Sequence, residues 1–117
     1  MISDLRKTQP CPDYEAPNAT AEHIAAAWLA FCEFHSHLPD RITWAPDGGY
    51  ALKFYGNSDH ASYRLGYVEV LNTGESIALL SDGDPKHEDT VWAVPFGDSA
   101  RQEALRQIWA FTGRGRR

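Results

Sequence analysis

Residues 32 to 41, CEFHSHLPDR, place one cysteine and two histidines within six positions, and this is the composition of a zinc site. A metal needs several such ligands directed at one point, and helical residues turn by about 100° per position. On a helix through this segment His35 lies in the apolar stripe with Trp28, whereas His37 lies on the opposite face. The spacing therefore predicts no metal site: His35 is directed into the core, His37 into solvent, and Cys32 is a small apolar filler.

A second group of polar side chains occupies SDGDPKHEDT, residues 81 to 90, with four carboxylates and a histidine. An EF-hand needs a glycine in mid-loop and a glutamate at the end of the loop, and this spacing supplies neither. The segment is therefore interpreted as a polar hairpin loop, and no metal ion or cofactor is predicted. Together with residues 56–62 it forms the first candidate binding surface, the acidic rim, which consists of Asp59, His60, Asp82, Asp84, His87, Glu88 and Asp89.

Catalytic motifs are absent from the sequence. It has no GxSxG nucleophile elbow, and PDGG and GDSAR lack the spacing and the lysine of a phosphate-binding loop. Catalysis by dispersed residues leaves no such pattern, so a small metal-dependent or hydrolytic enzyme that uses loop histidine and aspartate residues stays as an alternative. No individual catalytic residue is predicted.

Turn-forming residues divide the chain into a helix, five short strands and a second helix. The first helix is predicted over residues 20–37, with Thr20 as its N-cap. The second is predicted over 100–111, with Ser99 and Gln102 as a capping box and Gly113 as its stop. The strands are predicted at 41–45, 50–55, 63–71, 76–81 and 90–95.

The connections between these strands are short, and parallel neighbours would need crossovers of about a dozen residues. The sequence therefore predicts an α+β fold of order α-β-β-β-β-β-α. It consists of a five-stranded antiparallel meander sheet flanked by an N-terminal and a C-terminal helix, both on one face. Residues 1–19 are interpreted as a flexible leader, 20–113 as a single domain and 114–117 as a basic tail.

The tyrosines of the second strand indicate a second candidate binding surface. Strand side chains alternate between faces, so Tyr55 and Lys53 lie opposite Tyr50, Leu52 and Phe54. If both helices cover the Tyr50 face, Tyr55 and Lys53 are presented to solvent. Tyrosine is enriched at protein interfaces, and a second sheet face that is merely hydrated is the alternative.

The meander also predicts which loops lie together. Successive turns alternate between the two ends of the sheet, so PDGG (46–49) and NTGE (72–75) share one end. The two loops of the acidic rim share the other end, and the second helix returns the basic tail 114–117 toward them.

Charge and size favour a protein partner. The chain of 117 residues has a net charge of −5, and without Arg114, Arg116 and Arg117 it falls to −8, so the body repels nucleic acid. With two cysteines, no signal-peptide pattern and no membrane-spanning run, the protein is expected in the cytoplasm.

These properties predict a small acidic interaction protein that binds, and inhibits or neutralises, a basic macromolecule. Immunity proteins and phage or mobile-element inhibitors such as anti-CRISPR proteins share this small size, this acidic charge and this lack of recognisable motifs. The enzyme named above is one alternative, and a subunit that forms a homodimer through its sheet is another.

Overall fold

The computed structural model describes residues 5, 8, 10–56 and 64–113. The two helices are α1, Ala19–Phe34, and α2, Asp98–Thr112. Between them come the five strands β1 Arg41–Trp44, β2 Gly49–Tyr55, β3 Leu65–Leu71, β4 Ser76–Ser81 and β5 Thr90–Val94. Each strand pairs antiparallel with the next, in the order β1-β2-β3-β4-β5. The predicted α+β meander is confirmed.

Both helices lie on one face of the sheet, which we call the covered face. From α1, Trp28 Nε1 donates to Ser76 Oγ of β4 at 3.1 Å. From α2, Ile108 lies over Gly66 of β3, where an added Cβ would come within 2.8 Å of its Cγ2. The register places two rows of side chains across all five strands of this face: Ile42, Leu52, Val68, Ala78 and Trp92, and Trp44, Tyr50, Val70, Ser76 and Val94. A third row, Phe54, Gly66, Leu80 and Thr90, crosses β2 to β5.

The hydrophobic core lies between this face and the helices. Trp28 and Leu29 of α1 and Leu105 and Ile108 of α2 are buried there, as is Leu5 from the N-terminal segment. Burial of apolar side chains stabilises a fold by about 25 cal/mol per Å² of area removed from water, so these contacts hold the helices on the sheet.

Helix α1 begins one residue before the predicted N-cap Thr20. Asn18 is the N-cap instead, and its side chain accepts a hydrogen bond from the backbone N–H of Ala21 at 2.9 Å. Asparagine caps a helix as well as threonine does, because its short side chain reaches the free N–H groups of the first turn.

Helix α1 ends at Phe34, three residues before the predicted end at His37. Ser36 adopts a left-handed backbone conformation with φ of 58°. Its N–H donates to the Glu33 carbonyl at 3.1 Å, and the His37 N–H donates to the Cys32 carbonyl at 2.9 Å. This pair of bonds is a Schellman motif, usually made with glycine, so a serine gave no signal of it.

Helix α2 begins at Asp98, and its N-cap is Gly97, which makes no side-chain capping bond. The predicted capping box of Ser99 and Gln102 is therefore wrong, because both residues lie inside the first turns. Gly113 ends the helix in the left-handed conformation, as predicted, with φ of 83°.

Asn72, in the turn between β3 and β4, joins three segments at one end of the sheet. Its side-chain Oδ1 accepts from the Asn18 N–H at 2.8 Å, and its Nδ2 donates to the Ala16 carbonyl at 2.9 Å. Its backbone N–H donates to the Gly48 carbonyl of the β1–β2 turn at 3.1 Å. The two turns therefore share this end, as predicted, and α1 starts from the same place.

Candidate functional site

The face opposite the helices, which we call the open face, carries two rows of side chains that cross all five strands and a shorter row of Tyr55, Leu65 and Ser81. Cross-strand pairing places the residues of each row side by side. The first row is Arg41, Lys53, Tyr67, Leu79 and Val91, and the second is Thr43, Ala51, Glu69, Ile77 and Ala93. Among the described residues, the core that both helices form lies on the other, covered face.

The first row changes in character from the β1 edge to the β5 edge, and the second row changes from Thr43 and Ala51 through Glu69 to aliphatic residues. Arg41 and Lys53 are cationic, whereas the β4 and β5 positions are aliphatic. Val91 is 57% exposed, and Ala93 is exposed as well. The four neighbouring side chains on β4 and β5 form one surface, the aliphatic patch: Ile77, Leu79, Val91 and Ala93.

Tyr67 and Glu69 lie in the middle of the open face. The Tyr67 hydroxyl donates to Glu69 Oε1 at 2.9 Å. Partial burial first, then this bond to a carboxylate and the negative charge, raise the pKa of Tyr67 to about 12. The phenol is therefore neutral at physiological pH and serves as a hydrogen-bond donor between the cationic and aliphatic halves.

The β1 side of the open face is part of a groove of about 980 Å³. Thr8, Cys11 and Tyr14 of the N-terminal segment line this groove together with Lys53 and Tyr67. The segment therefore borders the sheet at β1, and the aliphatic half at β5 has no such neighbour among the described residues.

The predicted sheet-face residues Lys53 and Tyr55 both lie on the open face, and Tyr55 is 40% exposed. Their backbone is fixed by Asp40, whose N–H donates to the Lys53 carbonyl at 2.8 Å and whose Oδ2 accepts from the Tyr55 N–H at 2.7 Å. The end of β2 is thus held where the chain enters β1.

The loop between β4 and β5 is organised by its own carboxylates. Asp82 Oδ1 accepts from the Asp84 N–H at 2.9 Å, and Asp84 Oδ1 accepts from the Lys86 N–H at 2.9 Å. His87 Nδ1 lies 2.5 Å from Asp82 Oδ2. The bond with His87, followed by the backbone N–H of Asp84, lowers the pKa of Asp82. Asp82 is therefore a stable anion in this loop.

The acidic rim is described only in part. Asp82, Asp84 and His87 are brought together as above, and Glu88 and Asp89 are exposed at the entry to β5. Asp59 and His60 lie outside the described residues, as does the tail 114–117. Within the described ranges, no group of three or more histidine, cysteine, aspartate or glutamate side chains is arranged to hold a metal ion.

His35 and His37, the two histidines of residues 32–41, lie in similar environments. Because α1 ends before them, both are half-buried against Trp109 of α2, with ring centroids 5.3 Å away for His35 and 4.9 Å for His37. The prediction that His35 is directed into the core and His37 into solvent is wrong. Cys32, in contrast, is fully buried and in the reduced, thiol form.

The aliphatic patch was not predicted from the sequence. SIALLS and TVWAV carry apolar residues on both faces, a pattern that is typical of strands buried on both sides. The apolar residues on both faces of these strands were the signal that the sequence offered. Among the described residues no element covers one of the two faces, so the apolar residues of that face form the patch.

No protein-family model, curated protein or solved structure matches this chain. Among the described residues, neither α1 nor α2 combines the length and the apolar character that crossing a membrane would require.

Proposed function

We propose that this chain is a small acidic interaction protein that binds a basic protein and so inhibits or neutralises it. The binding surface consists of the open face and the loop between β4 and β5, residues 82–89, which we call the acidic loop. The observation that carries the proposal is the aliphatic patch of Ile77, Leu79, Val91 and Ala93, on a sheet face that neither helix covers in the described part of the chain. Contiguous apolar surface bordered by polar residues is characteristic of protein-binding sites.

The charges around the patch favour a basic partner. The loop that leads into β5 carries four carboxylates against one lysine, and the whole chain has a net charge of −5. Such a field accelerates association with a positively charged protein and repels nucleic acid. The aliphatic patch supplies the apolar contact, and the acidic loop supplies orientation.

Inhibition by steric occlusion fits a domain of this kind. Occlusion needs only a rigid surface, and the sheet is held by the covered core on its other side. Immunity proteins and phage inhibitors of the anti-CRISPR type act as small binding domains of this class. We place the activity in the cytoplasm, where Cys11 and Cys32 stay reduced.

The test uses the full chain as bait in a lysate of the source cells, with captured proteins quantified by mass spectrometry. Leu79→Lys introduces a charge into the aliphatic patch, and the double variant Glu88→Gln/Asp89→Asn removes two loop charges. Phe34→Lys is the control, because Phe34 is 82% exposed at the end of α1.

We expect a basic protein that is captured by the wild type and by the control but lost with Leu79→Lys. The loop variant should capture it more slowly and with a weaker dependence on salt, because screening acts on the charges that were removed. Equal capture by all four proteins, each confirmed as folded by circular dichroism, would contradict the proposal.

A further inference from the structure

The two edges of the sheet differ in how they are protected against pairing with another strand. β1 has four residues, includes Arg41 and lies beside the groove lined by Thr8, Cys11 and Tyr14. β5 has five residues, TVWAV, with no charge and no proline inside it. Natural sheets protect their edges with charges, prolines, bulges or covering segments, and β5 shows none of these among the described residues.

We propose that β5 pairs antiparallel with β5 of a second copy, which gives a symmetric dimer with one continuous ten-stranded sheet. This inference does not rest on the proposed function. The two-fold axis passes between the Trp92 residues, so Val91 of one copy lies opposite Ala93 of the other. Each copy thereby satisfies the free backbone groups of the other copy's edge.

The open faces of the two copies join across this axis. The row that contains Leu79 and Val91 continues into Ala93 and Ile77 of the second copy. Two small aliphatic patches become one, with cross-strand apolar contacts at the junction. The charged end of the first row, Arg41 and Lys53, remains on the outer side of each copy and does not enter the interface.

Charges support this partner and this orientation. With Trp92 on the axis, Glu88 and Asp89 of one copy lie beside residues 95–96 of the second copy, at the start of its α2. That helix has Gly97 as N-cap without a side-chain capping bond, and the Asp98 carboxylate of its first turn is paired with Arg101 at 2.6 Å, so its N-terminus favours further carboxylates nearby. The two acidic loops lie at opposite ends of the paired strands, about 20 Å apart. This exceeds the Debye length of about 8 Å, so their mutual repulsion is screened.

Sedimentation equilibrium across a wide range of protein concentration tests the dimer. The wild type should change from monomer to dimer mass as the concentration rises. Val91→Lys and Ala93→Lys place a charge on each edge strand and should remain monomeric throughout. Thr43→Lys is the matched control, since Thr43 ends the same row as Ala93 at the β1 edge, and it should dimerise as the wild type does.

Cysteine trapping tests the register in a Cys11→Ser background. Residues directly opposite each other lie about 5 Å apart between Cα atoms, which suits a disulfide, whereas positions offset by two residues exceed about 7 Å. A mixture of Val91→Cys and Ala93→Cys chains should therefore form a disulfide-linked heterodimer, and each variant alone should form far less.

Three results would overturn the inference. These are a monomer mass for the wild type at every concentration, a dimer that tolerates both lysine substitutions in β5, or a dimer lost on Thr43→Lys. Because Val91 is 57% exposed and Ala93 is exposed, the lysine variants are compatible with the fold, and circular dichroism checks this.

Discussion

The two faces of the sheet share the same strands and the same register, yet they differ in what lies against them. On the covered face Leu52, Val68 and Ala78 are fully buried beneath the helices. On the open face Tyr67 and Leu79, from the same strands, are half-buried and lie beside a groove and an exposed strand edge. The covered face therefore provides the stability of the fold, and the open face provides a surface that binding can use.

The largest effect should come from shortening the same side chain on each face. Leu52→Ala leaves a cavity in the core and should lower the free energy of unfolding by about 2–5 kcal/mol. Leu79→Ala on the open face should cost less than half as much, because water already reaches that position. Urea denaturation of both variants measures the difference, and equal losses would show that the open face is also covered.

A moderate effect is expected where α2 meets the covered face. Gly66→Ala forces a methyl group against Ile108, so the free energy of unfolding should fall by about 1–3 kcal/mol. In an Ile108→Ala background the same substitution should cost much less, and this coupling can be measured by a double-mutant cycle. Additive losses would mean that the strain lies elsewhere than in this contact.

A smaller effect concerns the centre of the open face. Glu69→Gln removes the carboxylate that faces the Tyr67 hydroxyl, so the pKa of Tyr67 should fall from about 12. The raised pKa contributes stability that is present below the pKa of an unfolded tyrosine and is lost as pH rises through about 12. Tyrosinate absorbance follows the titration, with Tyr67→Phe identifying the signal. An unchanged curve would assign the raised pKa to burial alone.

The smallest effect should be found in the loop beside the open face. The pKa of Asp82 is lowered, so this group contributes stability above its unfolded pKa that is lost as pH falls through the lower folded value. His87→Ala should raise the pKa of Asp82 toward its ordinary range, whereas Lys86→Ala keeps the bond to His87 and serves as control. Carboxyl chemical shifts measured by NMR as a function of pH give the pKa of Asp82 in both variants. A change of this pKa in Lys86→Ala would contradict the assignment of the lowered pKa to His87.

The fold could be predicted because its signals are local. Turn residues such as those of PDGG and NTGE separate apolar runs of strand length, and short connections force antiparallel neighbours. Gly113 marks the end of α2 by the backbone conformation that glycine favours. Each of these signals depends on a few adjacent residues, so the sequence alone carries it.

The site was harder to predict because it depends on what lies next to each side chain. The positions of His35 and His37 depend on Ser36, which follows α1 in a backbone conformation that serine rarely adopts. This conformation turns both histidine rings toward Trp109. The apolar residues of β4 and β5 resemble core residues in the sequence, and only the arrangement of the helices shows that one face has no helix over it in the described part of the chain. The carboxylates between β4 and β5 lie within eight positions of one another, so the sequence alone indicates their grouping.

The links made by Asn72 have a consequence for the order in which the chain folds. The hairpins of the meander close short segments, whereas the bond between Asn18 and Asn72 spans 54 positions. The entropy lost on closing a loop grows with its length, and contacts of long range slow folding. We therefore expect the hairpins β2–β3 and β3–β4 to form in the transition state, and the docking of α1 at Asn72 to follow it. Asn18→Ala, which removes the bond from Asn18 Nδ2 to the Asn72 carbonyl without changing the β3–β4 turn, would then speed unfolding and leave the rate of folding nearly unchanged.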